Sequence, residues 1–424
     1  MKPEPPLADP TRLTARRLAV DGGEAVPTGT GWRRPAVLLA LMAVAMQLAF
    51  ASWSALQYNF AYEALNFSSF EIGIQQSIRE VPGFLAFAAV FFLFVFREQV
   101  FAYVSLALLA VGTAATGYFP SAWGFYVTTF VGSVGFHYYE TMAQSLTLQW
   151  LKKDVAPQIM GRILGAAGGA QLVAYALIFG AGAYLELAWT TLFLLAGGLS
   201  LALLVFMASA FPVFPETQPQ RKQLILRRRY WLYYALTFMS GARRQIFLVF
   251  ASWMMVERFG YAFKDVAALF FVNAAVLMVI GPLIGKLIAR IGERSALLLE
   301  YVGLAGVFAT YAFVTDPNLA IALYVIDHAL FAMAIAMKTY FQKIADPGDM
   351  AGTAGVAFTI NHVAAVFIPV LFGALWLYSP AAVFLSGAAM ALVSFGLATL
   401  VPHAPRPGNE TLWRRGSTAE TKPA

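Results

Sequence analysis

Two adjacent arginines, Arg243 and Arg244, stand inside the run FMSGARRQIFLVF, and apolar residues continue on both sides of it. A guanidinium held away from bulk water attracts carboxylate, phosphate or sulfonate groups, and its planar fork binds two oxygens at once. Other long apolar runs carry His137 and Glu140, Asp327 and His328, and His362. An imidazole or carboxyl in such surroundings can exchange a proton near working pH, because burial and a neighbouring charge retune its affinity. Arg79, Glu80 and Lys338 complete the inventory. A charge at bilayer depth costs about 2.5–3.5 kcal/mol on insertion scales, so each must face a polar cavity or a partner.

Helical spacing sorts these residues into faces. Tyr233, Thr237, Ser240 and Arg244 follow steps of four, three and four, which forms one stripe. Arg243 is rotated from Arg244 by about 100°. Arg244 is therefore expected to point into a cavity beside Ser240 and Thr237. Arg243 is expected to reach its edge or to pair with an acid on a neighbouring helix. The first apolar run adds Gln57 and Tyr58 to this substrate-binding set. His137, Glu140, Asp327 and His362 form the proton-coupling set. Structural roles stand beside each assignment. The arginines can lock an interhelical salt bridge, with Glu140 and Asp327 as counter-ions, and His137 can bond across helices. Arg79 with Glu80 reads as a gate or structural pair. Lys338 snorkels, and Gly161, Gly165 and Gly169 suit close helix contact.

The elements that must position these groups follow from composition. Of 424 residues 60% are hydrophobic and 12% charged, against about 45–50% and about 25% in soluble domains. Lipid must therefore be the solvent for much of the surface. There is no cysteine, which excludes disulfides and thiolate chemistry. The net charge of +7 sits in tails and short loops, as membrane topology requires, and argues against nucleic-acid binding. No Walker-type loop appears, so ATP is not the expected energy source.

Runs of roughly 20 apolar residues suit one crossing each. They fall at 36–59, 71–95, 99–118, 122–148, 160–183 and 188–210, then at 231–256, 265–288, 294–314, 318–342, 351–376 and 379–401. They are too long, and alternate too little, for barrel strands. Arg12, Arg16, Arg17, Arg33, Arg34, Lys152, Lys153, Arg221, Lys222, Arg227, Arg228, Arg229, Lys286, Arg290, Arg294, Arg406, Arg414 and Arg415 all fall on one side of this alternation. Both termini are therefore expected in the cytoplasm. Trp32, Trp123, Trp150, Trp189, Trp231, Trp253 and Trp376 lie near run ends, where interfacial rings belong. The expected organisation is a disordered tail at 1–35, six helices at 36–210, a basic linker at 211–230, six helices at 231–402, and a tail at 403–424. This is an all-α membrane protein of two six-helix bundles related by a pseudo-two-fold repeat.

The segment GPLIGKLIARIGERSALL follows the eighth run. It resembles the cytoplasmic-loop signature of the major facilitator superfamily, with Gly285, Arg290, Gly292 and Arg294 in the matching places. Ala289 stands where that signature has an acid, and the first half keeps only Arg97 and Glu98 of its copy. The glycines suit close helix approach, and the basic pair suits a helix end. The resemblance implies that helices one, four, seven and ten line a central cavity, flanked by two, five, eight and eleven. It implies that helices three, six, nine and twelve face lipid. It further implies a secondary active transporter, not an enzyme, working by alternating access on a small organic solute. The arginines point to an anion or zwitterion and the acids and histidines to proton coupling. No cofactor or metal is implied, the bilayer is the surrounding partner, and a monomer in a bacterial inner membrane is expected. Export of a drug-like compound, divalent-metal transport, and a non-transporting receptor on the same fold remain alternatives, because fold alone does not fix function.

Overall fold

A computed structural model describes residues 32–85, 89–92, 95–151, 156–215, 226–346 and 349–413. The charges at Arg12, Arg16, Arg17, Lys152, Lys153, Arg221, Lys222, Arg414 and Arg415 lie outside the described residues, as do most of the first tail, the second half of the last one and the middle of the linker. Every regular element among the described residues is helical. The helices are α1 (Pro35–Asn59), α2 (Ser69–Phe84), α3 (Ala89–Phe92), α4 (Glu98–Ala115), α5 (Ala122–Trp150), α6 (Ala156–Tyr184) and α7 (Trp189–Ala210). They continue with α8 (Trp231–Gln245), α9 (Ser252–Glu257), α10 (Phe263–Tyr311), α11 (Pro317–Phe331), α12 (Ile335–Ile344), α13 (Met350–Tyr378) and α14 (Pro380–Ala398). Among the described residues, eight helical stretches are long and apolar enough to cross a membrane.

Local chemistry explains several boundaries. Ser121, Asp316 and Ser379 cap α5, α11 and α14 by accepting from Gly124, Asn318 and Ala382 backbone N–H groups at 3.1, 3.0 and 3.1 Å. Pro317 and Pro380 follow two of these caps, where a missing N–H costs nothing. Two π turns were not foreseen: Phe60–Ala64 extends α1, and Ile246–Ala251 joins α8 to α9.

The eighth and ninth predicted runs form one element of 49 residues. At about 1.5 Å per residue it would extend more than twice the roughly 30 Å of a hydrocarbon core. It turns at Gly292, with φ 80° and ψ 162°, a conformation that side chains almost never adopt. The signature glycine is therefore a corner. Neither Gly285 nor Gly292 makes the expected close helix approach, since a Cβ at either would meet nothing within 4 Å. The same holds for Gly161, Gly165 and Gly169. Gly292→Ala is expected to cost about 2 kcal/mol, read as a lowered unfolding midpoint in detergent, and an unchanged midpoint would remove the corner argument. Just past the corner, Glu293 Oε1 sits 2.6 Å from Lys343 Nζ at the end of α12.

The chain divides into two compact units. One comprises residues up to 57 and 85–221, the other 58–84 and 222 onward. The first holds α1 and α3 to α7. Its core joins Leu38, Met42, Phe101, Leu106, Met142, Leu146, Trp150 and Met207. Ser200 Oγ donates to Ala45 O at 2.7 Å, which ties α7 to α1.

In the second unit α2 lies along α13, and the later part of α10 packs on α14. Trp253 and Trp376 are buried here, as Trp150 is in the first unit, so these three are core rings rather than interfacial ones. Trp376 Nε1 donates to Glu257 Oε2 at 2.8 Å. The end of the basic linker is tied down by charge. Arg227 and Arg229 reach Asp349 at 3.2 and 3.0 Å, Arg229 also pairs with Asp346, and Tyr230 donates to Asp349 at 3.1 Å. The Arg227 hydrogen bonds hold the Asp349 carboxyl below the usual carboxylate range. Beyond α14, the segment read above as the start of a tail folds back. Leu412 N–H donates to Leu400 O at 2.8 Å, and Tyr340 donates to Glu410 O.

Candidate functional site

Helix α8 carries both arginines, and the 3.6-residue period sends them to different neighbours. Arg243 is 1% exposed. Its guanidinium lies over the Tyr301 ring at 4.5 Å, Nη2 stands 3.8 Å from Glu300 Oε1, and Nε donates to Met239 O at 3.4 Å. Glu300 and Asp327 are both buried. Asp327 on α11 lies within electrostatic reach of Arg243 and Glu300. One guanidinium thus faces two carboxyl groups in the interior of the second unit.

That cluster is ionic rather than hydrogen-bonded. A separation of 3.8 Å exceeds hydrogen-bond length. Neither terminal nitrogen of Arg243, neither oxygen of Glu300, nor Asp327 Oδ1 has a hydrogen-bond partner among the described residues. Buried polar atoms are normally satisfied, and exceptions cluster where a proton, an ion or water takes part.

Arg244 is exposed, and its guanidinium lies 5.6 Å over Phe331 on α11. The rest of its stripe is buried. Thr237 donates to Tyr233 O of its own helix at 2.8 Å, Tyr233 stacks on Phe341 at 4.3 Å, and Ser240 is interior. Tyr58 donates to Leu248 O at 3.1 Å, within the π turn that follows α8. Gln57 is buried, near the end of α1 in the first unit.

The other candidates fall elsewhere. His362 on α13 directs Nδ1 at Phe358 O (2.9 Å), while Nε2 stands 3.8 Å from Glu80 Oε2 on α2. Glu80 in turn pairs with Arg79 at 2.6 Å. His137 and Glu140 belong to α5 of the first unit, where His137 is buried edge-on to Phe136 at 5.0 Å and Glu140 is exposed. Gly285, Arg290, Gly292 and Arg294 surround the α10 corner.

Sequence reasoning gave Glu300 and Tyr301 no place in the site. The expectation that the ninth run faces lipid set them aside, yet Glu300 is 0% exposed. An acid alone inside ALLLEYVGLAGVF was the available signal, since an unpaired intramembrane carboxylate is costly.

The major facilitator superfamily model matches residues 36–369. The chain belongs to that superfamily. It is a multi-pass membrane transporter by family. Among solved structures, a variant of the nucleoside transporter NupG aligns with TM-score 0.71 at 14% identity, covering 86% of this chain and 99% of that one. A bacterial homologue of the human lysosomal transporter Spinster, in an inward-facing and occupied conformation, aligns with TM-score 0.69 at 12% identity. That alignment covers 92% of this chain and all of the other. At such identities the likeness shows the fold alone. No curated protein matches the sequence.

Proposed function

We propose that this superfamily member is a secondary active transporter that moves a small anionic or zwitterionic organic solute by alternating access, with proton coupling. The observation that carries the reading is Arg244, an exposed residue on a membrane helix whose guanidinium lies over Phe331. At bilayer depth such a group belongs to a water-filled cavity rather than to lipid, and there it attracts an anion. Proton coupling rests on the neighbouring cluster. Glu300 and Asp327 share the single counter-charge of Arg243, so electroneutrality is reached when one proton is held between the two acids.

Twelve crossings are the matching topology. Helix α10 with its corner supplies two, α8 with α9, α11 with α12 and α2 with α3 supply one each, and α1, α4, α5, α6, α7, α13 and α14 supply the rest. Both termini and the linker then lie in the cytoplasm of a bacterial inner membrane. The transporter acts as a monomer.

Proteoliposomes with an imposed pH gradient test this. Uptake of labelled organic anions is expected to follow the gradient, and Arg244→Gln is expected to lower it at least tenfold, or about 1.4 kcal/mol, with the melting point kept. Uptake confined to cations, or an Arg244→Gln variant as active as wild type, overturns the reading.

A further inference from the structure

Beside Arg244 the second unit presents a ledge of rings. His328 and Phe331 follow Tyr324 on α11 at steps of four and three, so all three share one face of that helix. Phe331 lies under the Arg244 guanidinium at 5.6 Å, and His328 lies within electrostatic reach of the same group. Phe270 on α10 stacks on Tyr324 at 6.0 Å and 18°, and the Tyr324 ring meets His328 tilted, at 4.5 Å and 32°. Phe247 meets the His328 ring at 5.7 Å and 72°, bracing it from another side. The interior aromatic residues Phe247, Tyr301 and Tyr311 are fully buried. Phe270, His328 and Phe331 are only half-buried. An aromatic core would be expected to close over these three; here they stay open next to a charge.

His328 adds direction. Its Nδ1 faces Tyr324 O at 2.9 Å, and a carbonyl oxygen accepts only, so Nδ1 carries the hydrogen. In the neutral ring the other nitrogen, Nε2, is an acceptor. Among the described residues nothing donates to it. The ledge thus offers flat faces, one acceptor and, at its rim, a guanidinium.

We infer that the solute carries an aromatic or heteroaromatic ring with an O–H or N–H donor: the ring lies along Phe270, His328 and Phe331, the donor bonds His328 Nε2, and the anionic group faces Arg244. This deepens the anion-transport reading and rests on it. Ring stacking supplies affinity and the acceptor supplies selectivity, because an acceptor that the bound ring covers and leaves unmatched penalises a solute without the donor.

Thermal-shift titration of the purified full-length protein in detergent tests this with charge-matched probes. These are benzoate, the three hydroxybenzoates, cyclohexanecarboxylate and the hydroxycyclohexanecarboxylates. At least one hydroxybenzoate is expected to bind tenfold or more tightly than its cyclohexane counterpart, and more tightly than benzoate. His328→Phe keeps a ring but no acceptor. It is expected to bring that hydroxybenzoate down to the level of benzoate measured on the same variant. Equal binding of aromatic and cyclohexane probes overturns the ring and leaves the anion reading standing. Equal binding of benzoate and every hydroxybenzoate overturns the role of His328. Stabilisation by none of the anions overturns the anion reading and this inference with it. If His328→Phe does not fold, the wild-type probe pairs still decide.

Discussion

Arg243→Gln is expected to destabilise the protein by about 3–5 kcal/mol, because removing one partner of a buried charge pair strands the other. Arg243 is 1% exposed and Glu300 is 0% exposed. Without the guanidinium, Glu300 and Asp327 would face each other in the interior with no positive charge between them. The Tyr301 ring would also lose the cation above its face. Glu300→Gln in the same background is expected to restore much of the loss, since the stranded charge goes with it. Unfolding of the four members of this double-mutant cycle in detergent measures the coupling. A single mutant within 1 kcal/mol of wild type would mean that the cluster is not held by charge. Function should separate from stability along the same helix. Arg243→Gln is expected to lose both stability and gradient-driven uptake, whereas Arg244→Gln, at an exposed position, loses uptake alone.

The contrast between the two arginines also shows what a sequence makes legible. The rotation of about 100° between them follows from helix geometry, and it separates a buried residue from an exposed one. Which acid lies under Arg243 was not legible. Glu300 is 57 positions away in the sequence numbering, on a run set aside as lipid-facing, and only tertiary packing brings it to α8. The same division runs through the fold. Ser379 with Pro380 announces the start of α14 locally, and the apolar run from 99 matches α4. The π turns at 60–64 and 246–251 leave no local signal, because they arise where helices adapt to neighbours. Gly292 was seen as part of a motif, but its function as a corner required its positive φ. The glycines at 161, 165 and 169 were given a packing role from spacing alone, and open space surrounds them.

Gly73→Leu is expected to cost about 3 kcal/mol, the upper part of the overpacking range, because the neighbour it meets is backbone. A Cβ at Gly73 would lie 2.4 Å from Pro369 O and 3.1 Å from Val370 Cα, and one at Gly373 would lie 2.5 Å from Ser69 O. Ser69 Oγ donates to Gly373 O at 3.0 Å across the same crossing. Ser69 meets Gly373, Gly73 meets Pro369, and Glu80 meets His362, so numbers rise along α2 as they fall along α13. The helices are therefore antiparallel, and the glycine contact and the Glu80–His362 pair belong to one interface. A backbone oxygen cannot swing aside as a side chain can, so α2 and α13 must separate. At 3.8 Å the Glu80–His362 pair is already long, and separation would open it. Gly165→Leu is the control, since its Cβ meets nothing within 4 Å and leucine favours helix over glycine by a few tenths to about 1 kcal/mol. Melting curves should therefore move in opposite directions or differ by several degrees. Equal melting of the two variants would mean that α2 and α13 do not approach at backbone contact. The charge pair two turns along would then need another explanation.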